Sequence, residues 1–304
     1  MRHHVIPDPR LRRRGTPSAR PRLTCALVGL LLSCALAGCT GGTPEGPVVT
    51  STSAERVADQ PGDSADGSPT ATSSPAASPE EISAPPLSGL TVAIDPGHNG
   101  GNGAHPDTIS ADVPDGRGGT KACNTVGTSS DDGYPEHRFT WETAQEVQTA
   151  LSDAGAEVVM SRSSDDSAGP CVDERGRFAD AADALVSLHG NGTEDRSARG
   201  FHVITAPAGG RAGDDTARTS EALGRALAEA LEATGFDRNP AYDDLVVRTD
   251  LATLNNAAVP AVMLEAGEMR NAEDAELLES RQGQEHIAEA VVTALTAVFG
   301  DAAP

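Results

Sequence analysis

Residues 183 to 192 read Asp-Ala-Leu-Val-Ser-Leu-His-Gly-Asn-Gly, and the apolar run Ala184 to Leu188 within them ends directly in a histidine. A short apolar run of this kind, bounded by turn-forming residues, is typical of a buried strand. His189 then lies at the carboxyl end of that strand. Because ligands of open α/β sheets bind beyond the carboxyl ends of the strands, the position of His189 predicts a functional site there.

The chain around this stretch alternates short β-prone runs with helical patterns. The predicted strands, besides Ala184 to Leu188, are Thr91 to Asp95, Glu157 to Ser161, Phe201 to Thr205, Leu245 to Arg248 and Ala261 to Leu264. The predicted helices are Phe139 to Ala154, Asp173 to Ala182, Thr216 to Thr234 and Gln284 to Phe299. Strands that alternate with helices indicate a single α/β domain, with a mostly parallel sheet covered on both faces.

Three further residues with ligand-type side chains lie beside predicted element ends. His98 follows the first strand across a Pro-Gly pair, Glu265 directly follows the strand ending at Leu264, and Glu136 precedes a helix. Two histidines and one carboxylate with an open fourth position form the ligand set of a catalytic zinc site, and a remaining carboxylate can act as general base. Taken singly, each residue also fits a structural role, such as a partner of a helix dipole.

The composition argues against two classes of partner. The formal net charge is −22, and the seven arginines and one aspartate of the first 22 residues carry +6, so the rest of the chain carries −28. Such an acidic chain does not favour nucleic acid as the main partner, because phosphate binding needs a basic surface. Aromatic residues are only 3%, with Trp141 the sole tryptophan, which disfavours a wide aromatic cleft for long glycans.

The first 86 residues are predicted to precede the folded domain. Residues 1–38 have the basic, apolar and small-residue order of an export signal. They lead into Leu36-Ala37-Gly38-Cys39, which resembles a bacterial lipobox, so Cys39 is predicted to carry a lipid anchor at the outer face of the cytoplasmic membrane. An ordinary cleaved signal with an incidental Cys39 is the alternative. Residues 39–86, rich in Ser, Thr, Pro and Ala, are predicted to form a disordered linker.

Four ordered segments carry a more specific signal than any single residue. They are VAIDPGHNG (Val92 to Gly100), YPEHRFTWETA (Tyr134 to Ala144), DALVSLHGNG (Asp183 to Gly192) and VPAVMLEAG (Val259 to Gly267). Together they resemble the zinc-dependent N-acetylmuramoyl-L-alanine amidases over nearly all of residues 90 to 300. The resemblance implies a six-stranded central sheet flanked by helices, within a catalytic domain at residues 87–300.

The resemblance also implies roles for individual residues and a substrate. His98, Glu136 and His189 correspond to the ligands of one Zn²⁺ ion, and Glu265 to the catalytic carboxylate. The implied reaction cuts the amide between the lactyl group of N-acetylmuramic acid and L-alanine in peptidoglycan. Asp95 is a candidate partner for a zinc ligand or a stabiliser of the Asp-Pro-Gly turn.

Several alternatives remain open from the sequence. Asn191 is a candidate substrate contact or a residue that shapes its turn. The chain could instead be a zinc peptidase acting on the stem peptide, or a wall-binding lipoprotein without activity. The protein is expected to be a monomer whose partners are peptidoglycan and, through the lipid, the membrane.

The chain departs from the family pattern in two places. A Gly/Asp/Thr-rich insertion at about Gly101 to Gly133 contains Cys123, which forms an even pair with Cys171 in an exported domain. A disulfide is therefore expected, as in an actinobacterial-type subset of these amidases, with two free thiols as the alternative. Some relatives also carry a long helix that plugs the zinc site, whereas only Ala206 to Asp215 is available for it here, so no such plug is expected.

Overall fold

The computed structural model describes residues 84–300. The predicted export signal, the lipid site at Cys39 and most of the predicted linker lie outside the described residues. Between residues 84 and 300, no helix is both long enough and apolar enough to cross a bilayer.

A six-stranded sheet forms the centre of the domain, in the order β4-β1-β5-β8-β6-β7. Its strands are β1 (Thr91–Pro96), β4 (Glu157–Met160), β5 (Ala184–Asn191), β6 (His202–Thr205), β7 (Val246–Val247) and β8 (Ala261–Glu268). Strands β4, β1, β5 and β8 are parallel, while β6 runs antiparallel to β8 and parallel to β7. The expected mostly parallel six-stranded sheet is therefore confirmed.

Helices cover both faces of this sheet because successive strand residues point to opposite sides. In β1, Val92 and Ile94 pack into one apolar cluster and Ala93 into the other. The larger cluster lies under α2 (Glu136–Asp153), α4 (Asp214–Ala233) and α7 (Arg281–Phe299). The smaller cluster lies under the 3₁₀ turn 178–181 and α5 (Ala252–Asn256), which packs beside α3 (Val172–Arg177). Helix α6 (Ala272–Glu279) precedes α7.

The insertion after His98 is folded onto the domain. It contains a 3₁₀ turn at 102–104, α1 (Pro106–Ile109) and a hairpin of β2 (Asp112–Pro114) and β3 (Thr120–Ala122). Backbone hydrogen bonds from Cys123 to Ala111 and from Asn124 to Ile109 close it on itself. None of residues 101–133 belongs to the two apolar clusters, so the order of this segment depends on backbone pairing.

All four predicted helices begin one to three residues earlier in the structure than the sequence predicts. Helix α2 begins at Glu136, three residues earlier than predicted, because Pro135 is extended and serves as the residue before the first turn. The predicted helix Asp173 to Ala182 divides into α3 and the 3₁₀ turn 178–181. The first difference matters for the site, since it places Glu136 in the first turn of α2.

Candidate metal centre

Three side chains converge at the carboxyl ends of β1 and β5. Oε1 of Glu136 lies 3.0 Å from Nε2 of His98 and 3.0 Å from Nδ1 of His189. One nitrogen or oxygen atom from each residue lies within 4.8 Å of the others. The residues that the sequence placed at separate element ends thus form one cluster.

A buried arginine holds the turn that delivers His98. Arg175 of α3 donates to the carbonyl oxygens of Pro96 at 2.6 Å and His98 at 2.5 Å, and to the Asp95 carboxylate at 2.6 Å. His98 has a φ of 58°, a left-handed conformation that is uncommon outside glycine. The ion pair and the two carbonyl contacts hold the backbone in this conformation, which directs the His98 ring toward Glu136.

Gly97 leaves room for the His189 ring, and the start of α2 positions Glu136. The ring of His189 lies so close to Gly97 that a Cβ at Gly97 would come within 2.3 Å of it. Glu136, in the first turn of α2, accepts hydrogen bonds from the backbone N–H of Thr128 at 2.9 Å and of Gly190 at 3.2 Å. Each Glu136 oxygen therefore accepts one backbone N–H, and Oε1 also faces both histidines.

Glu136 and His98 shift each other's pKa values toward the charged forms. Burial by itself raises the pKa of the Glu136 carboxyl, but His98 and His189 outweigh it and lower that pKa well below its usual value. Burial lowers the pKa of His98, and the adjacent Glu136 carboxylate reverses this and raises it. Glu136 is consequently ionised and available as a metal ligand at neutral pH.

The donor set fits a zinc ion. Two imidazole nitrogens and one carboxylate oxygen leave one of four tetrahedral positions open, as catalytic zinc sites require. Donors about 2.0 Å from a tetrahedral ion are about 3.3 Å apart, close to the 3.0 Å separations seen here. The remote nitrogen of His98 lies 3.2 Å from the carbonyl oxygen of Thr125, the kind of contact that orients a ligating histidine.

Glu265 lies in the same cleft as this cluster. It is the register partner of His189 on the neighbouring parallel strand, so the two side chains point to the same face of the sheet. The cleft has a volume of about 550 Å³ and is lined by His98, Glu136, His189 and Glu265 among others. Burial raises the pKa of Glu265 well above its usual value, the Glu136 carboxylate adds to this, and Arg248 opposes it.

Comparison with known proteins agrees with this geometry. The sequence profile of the family described as N-acetylmuramoyl-L-alanine amidase matches residues 92–297, which is most of the chain. The chain belongs to this amidase family. It is 43% identical over 211 residues to the N-acetylmuramoyl-L-alanine amidase Rv3717 of Mycobacterium tuberculosis, covering 68% of this chain and 85% of that protein.

Two solved structures of mycobacterial amidases share the fold. The N-acetylmuramyl-L-alanine amidase Ami1 of Mycobacterium smegmatis has 38% identity and a TM-score of 0.66, over 71% of this chain and 99% of the other. The apo form of Ami1 from Mycobacterium abscessus has 38% identity and a TM-score of 0.64, over 70% and 100%. The relatives are thus similar to the described domain along its whole length.

Asp95 was considered as a partner of a zinc ligand or as a stabiliser of its turn. Its carboxylate makes no hydrogen bond to the side chains of the three clustered residues, but accepts from Arg175, Ser161 and Ser187. Arg175 connects Asp95 to the backbone carbonyl of His98, and the Thr125 carbonyl contacts the His98 ring.

Asn191 and His137 also have defined surroundings. The Asn191 side-chain N–H₂ donates to the buried Glu268 carboxylate at 2.7 Å, where the β5–β8 register is irregular, and Asn191 lines the cleft. His137, which neighbours Glu136 in the sequence, pairs with Asp165 at 2.6 Å and does not belong to the cluster. Sequence reasoning did not single out Glu268, whose only signal was a position three residues after Glu265.

A disulfide joins the insertion of the amidase to α3. Cys123 and Cys171 are bonded with a Cα–Cα distance of 4.4 Å, and the N–H of Val172 donates to the Cys123 carbonyl at 2.7 Å. The bond links the segment that contacts His98 to the helix that carries Arg175. The segment between β6 and α4, residues 206–213, contains no helix in the described structure, as expected from its length.

Proposed function

We propose that this amidase hydrolyses the amide between the lactyl group of N-acetylmuramic acid and L-alanine in peptidoglycan, with Glu265 as its catalytic carboxylate. The observation that supports the proposal is one cleft containing both the His98, Glu136 and His189 cluster and the isolated Glu265 carboxylate. The family membership of residues 92–297 supplies the substrate class.

We assign His98, Glu136 and His189 as the ligands of one zinc ion. A zinc ion in such a site polarises a carbonyl group and lowers the pKa of a water molecule toward about 7. Arg175 contributes by holding the His98 turn, and the N–H groups of Thr128 and Gly190 hold Glu136. These contacts organise the three donors before any ion binds.

Glu265 moves the proton in this proposal. Its carboxylate accepts a proton from the attacking water and delivers it to the nitrogen of L-alanine as the amide C–N bond breaks. The products are a lactyl carboxylate and a stem peptide with a free amine. No described residue donates a hydrogen bond to the Glu265 carboxylate, so its oxygens are free to exchange a proton with water and substrate. Asn191 is assigned as a substrate contact through its side-chain carbonyl oxygen, because its N–H₂ group donates to Glu268 and to the hydroxyl of Tyr242.

The proposal extends to the cellular setting. The basic and apolar order of residues 1–38 supports export, and Cys39 supports a lipid anchor at the outer face of the cytoplasmic membrane. A linker at residues 39–86 would let a monomeric catalytic domain reach the wall from that anchor. Metabolic labelling with a fatty-acid analogue, comparing the wild type with Cys39→Ala, tests the anchor; equal labelling of both contradicts it.

The Glu265→Gln variant tests the catalytic assignment. We expect cleavage of purified peptidoglycan to fall at least about 100-fold, because the amide cannot accept the water proton, while zinc content stays at one ion per domain. Glu221→Gln, an exposed change on α4, is the matched control and should retain wild-type activity. Retained activity in Glu265→Gln contradicts its role.

Product analysis separates the amidase reaction from the two alternatives. Mass spectrometry should find stem peptides that begin with a free L-alanine amine, and a chelator should abolish their release until zinc is restored. Cleavage only within the stem peptide would indicate a peptidase. Absence of both cleavage and stoichiometric zinc would indicate a binding protein.

A further inference from the structure

Lys121 is the only lysine of the 304-residue chain, and it lines the catalytic cleft. It lies in β3 of the hairpin in the insertion, a segment that carries none of the residues assigned above to zinc or to proton transfer. The side chain is half-buried. Arg175 and Arg270 also line the cleft, but Arg175 is paired with Asp95 and Arg270 with Glu194.

The charge of Lys121 is not neutralised by an ion pair. Its Nζ donates to the backbone carbonyl oxygen of Asp250 at 2.8 Å. The carboxylate of Asp250 is already held by Arg248, with hydrogen bonds of 2.9 and 2.6 Å. Within residues 84–300, Lys121 has no salt bridge to a carboxylate. An ammonium group with one carbonyl partner keeps two N–H donors for a ligand.

Lys121 stands on the Glu265 side of the cleft. The Asp250 carbonyl that anchors it belongs to the residue whose carboxylate pairs with Arg248. Arg248 in turn lies close enough to Glu265 to lower the pKa of its carboxyl group. The residues that follow Asp250, from Leu251 to Thr253, line the cleft together with Glu265. The hairpin and this loop thus form one wall of the cleft, with Lys121 at their junction.

The two halves of the substrate differ in charge. Glu265 delivers its proton to the L-alanine nitrogen, so the stem peptide leaves from the side of the cleft that Glu265 occupies. The peptide beyond L-alanine carries carboxylates, of which the first is the α-carboxyl of a γ-linked D-glutamate. The muramic acid side presents hydroxyl and acetamido groups without charge. A cation on the Glu265 side therefore matches the peptide half.

We propose that Lys121 binds a carboxylate of the stem peptide and makes the amidase prefer peptides whose second residue keeps a free α-carboxyl group. The inference rests on the proposed function, since it takes the orientation of the substrate from the role of Glu265. A half-buried charge-assisted hydrogen bond gives both affinity and discrimination, because an amide in place of the carboxylate leaves the ammonium without an anionic partner.

The test compares two soluble muropeptides that differ in one group. Both have the same length, and the second residue is D-glutamate in one and D-isoglutamine in the other. We expect wild-type kcat/KM to be about tenfold higher for the acid, chiefly through a lower KM. In Lys121→Gln this preference should disappear, because kcat/KM for the acid falls while kcat/KM for the amide stays the same. Lys121→Arg keeps the positive charge and should retain most of the preference. Lys121→Glu should prefer the amide.

Arg225→Gln is the charge-matched control, because Arg225 is an exposed cation of α4 that does not line the cleft. It should leave both rates and their ratio unchanged. Equal wild-type rates on the two muropeptides would overturn the inference. An equal loss of activity on both muropeptides in Lys121→Gln would also overturn it, and would indicate that Lys121 only connects the hairpin to the loop after β7. Cleavage of neither muropeptide by the wild type would contradict the proposed function itself.

Discussion

Some residues that supply no metal ligand still determine whether the three ligand side chains can come together. Gly97 is one of them, since its missing side chain is the space that the His189 ring occupies. Arg175 is another, because it neutralises the buried Asp95 and holds the carbonyl of His98 in a left-handed turn. The donor geometry therefore depends on residues whose chemistry does not itself suggest a metal site.

Replacing Gly97 by alanine should weaken zinc binding. The new Cβ would lie 2.3 Å from the His189 ring, so the ring has to move away from Glu136. We expect zinc affinity to fall by about 10- to 100-fold, the range seen when ligand orientation is disturbed, measured by competition with a chromogenic chelator.

Gly103→Ala is the control for that prediction. The nearest atom to a Cβ at Gly103 is a methyl group of Val126 at 3.8 Å, which is ordinary contact. Equal zinc affinities for the Gly97→Ala and Gly103→Ala proteins would show that His189 does not need its observed position.

At the scale of elements, the disulfide connects two segments that support the cluster from different directions. The segment after β3 supplies the Thr125 carbonyl that contacts His98, and α3 supplies Arg175. Cys123 begins the first segment and Cys171 precedes the second. The insertion and α3 are therefore covalently joined beside the cleft.

Removing this bond should destabilise the domain. The cysteines are 48 residues apart, and closing a loop of that length restricts the unfolded chain by about 4 kcal/mol in the loop-entropy estimate. We expect the Cys123→Ala, Cys171→Ala double variant to lose up to that amount of unfolding free energy in urea titrations. Reductant should lower the stability of the wild type but not of the variant. Identical stability of the oxidised wild type and the variant would indicate that the bond does not form in solution.

At the scale of the whole molecule, the domain begins at the residues just before β1. Leu87 is 2% exposed and packs into the larger apolar cluster, and its N–H donates to the carbonyl oxygen of Ala154 after α2. Leu87 is thus the first described residue that contributes to the core, while residues 84–86 are exposed.

Truncation should locate this boundary. A protein starting at residue 84 should keep full activity on soluble muropeptides. One starting at residue 91 should lose about 2–5 kcal/mol of unfolding free energy, since it loses the buried Leu87 side chain. Leu87→Ala in the longer protein is the matched variant and should lose a similar amount. If the protein starting at residue 91 matched the longer one in urea titrations, the boundary would lie later.

Much of the architecture was predictable because it depends on local pattern. His98 follows β1 across its turn, and His189 and Glu265 follow the predicted strands, so recognising the strands already placed these residues toward one edge of a parallel sheet. In the structure β5 and β8 continue three or more residues beyond their predicted ends, to Asn191 and Glu268, so His189 and Glu265 lie within the strands. The start of α2 was predicted too late, and so the entry of Glu136 into its first turn was visible only in the structure. Residue spacing alone did not identify the metal ligands. The resemblance of four segments to the amidase family indicated which residues they are.

The sequence alone determined the fold class, the edge of the sheet at which chemistry occurs and the family. The contacts that complete the site came from the folded chain. Arg175 reaches a carbonyl 77 residues away, and Lys121 reaches one 129 residues away. No periodicity or spacing encodes such contacts, because the hairpin, α3 and the loop after β7 come together only when the insertion folds against the finished sheet.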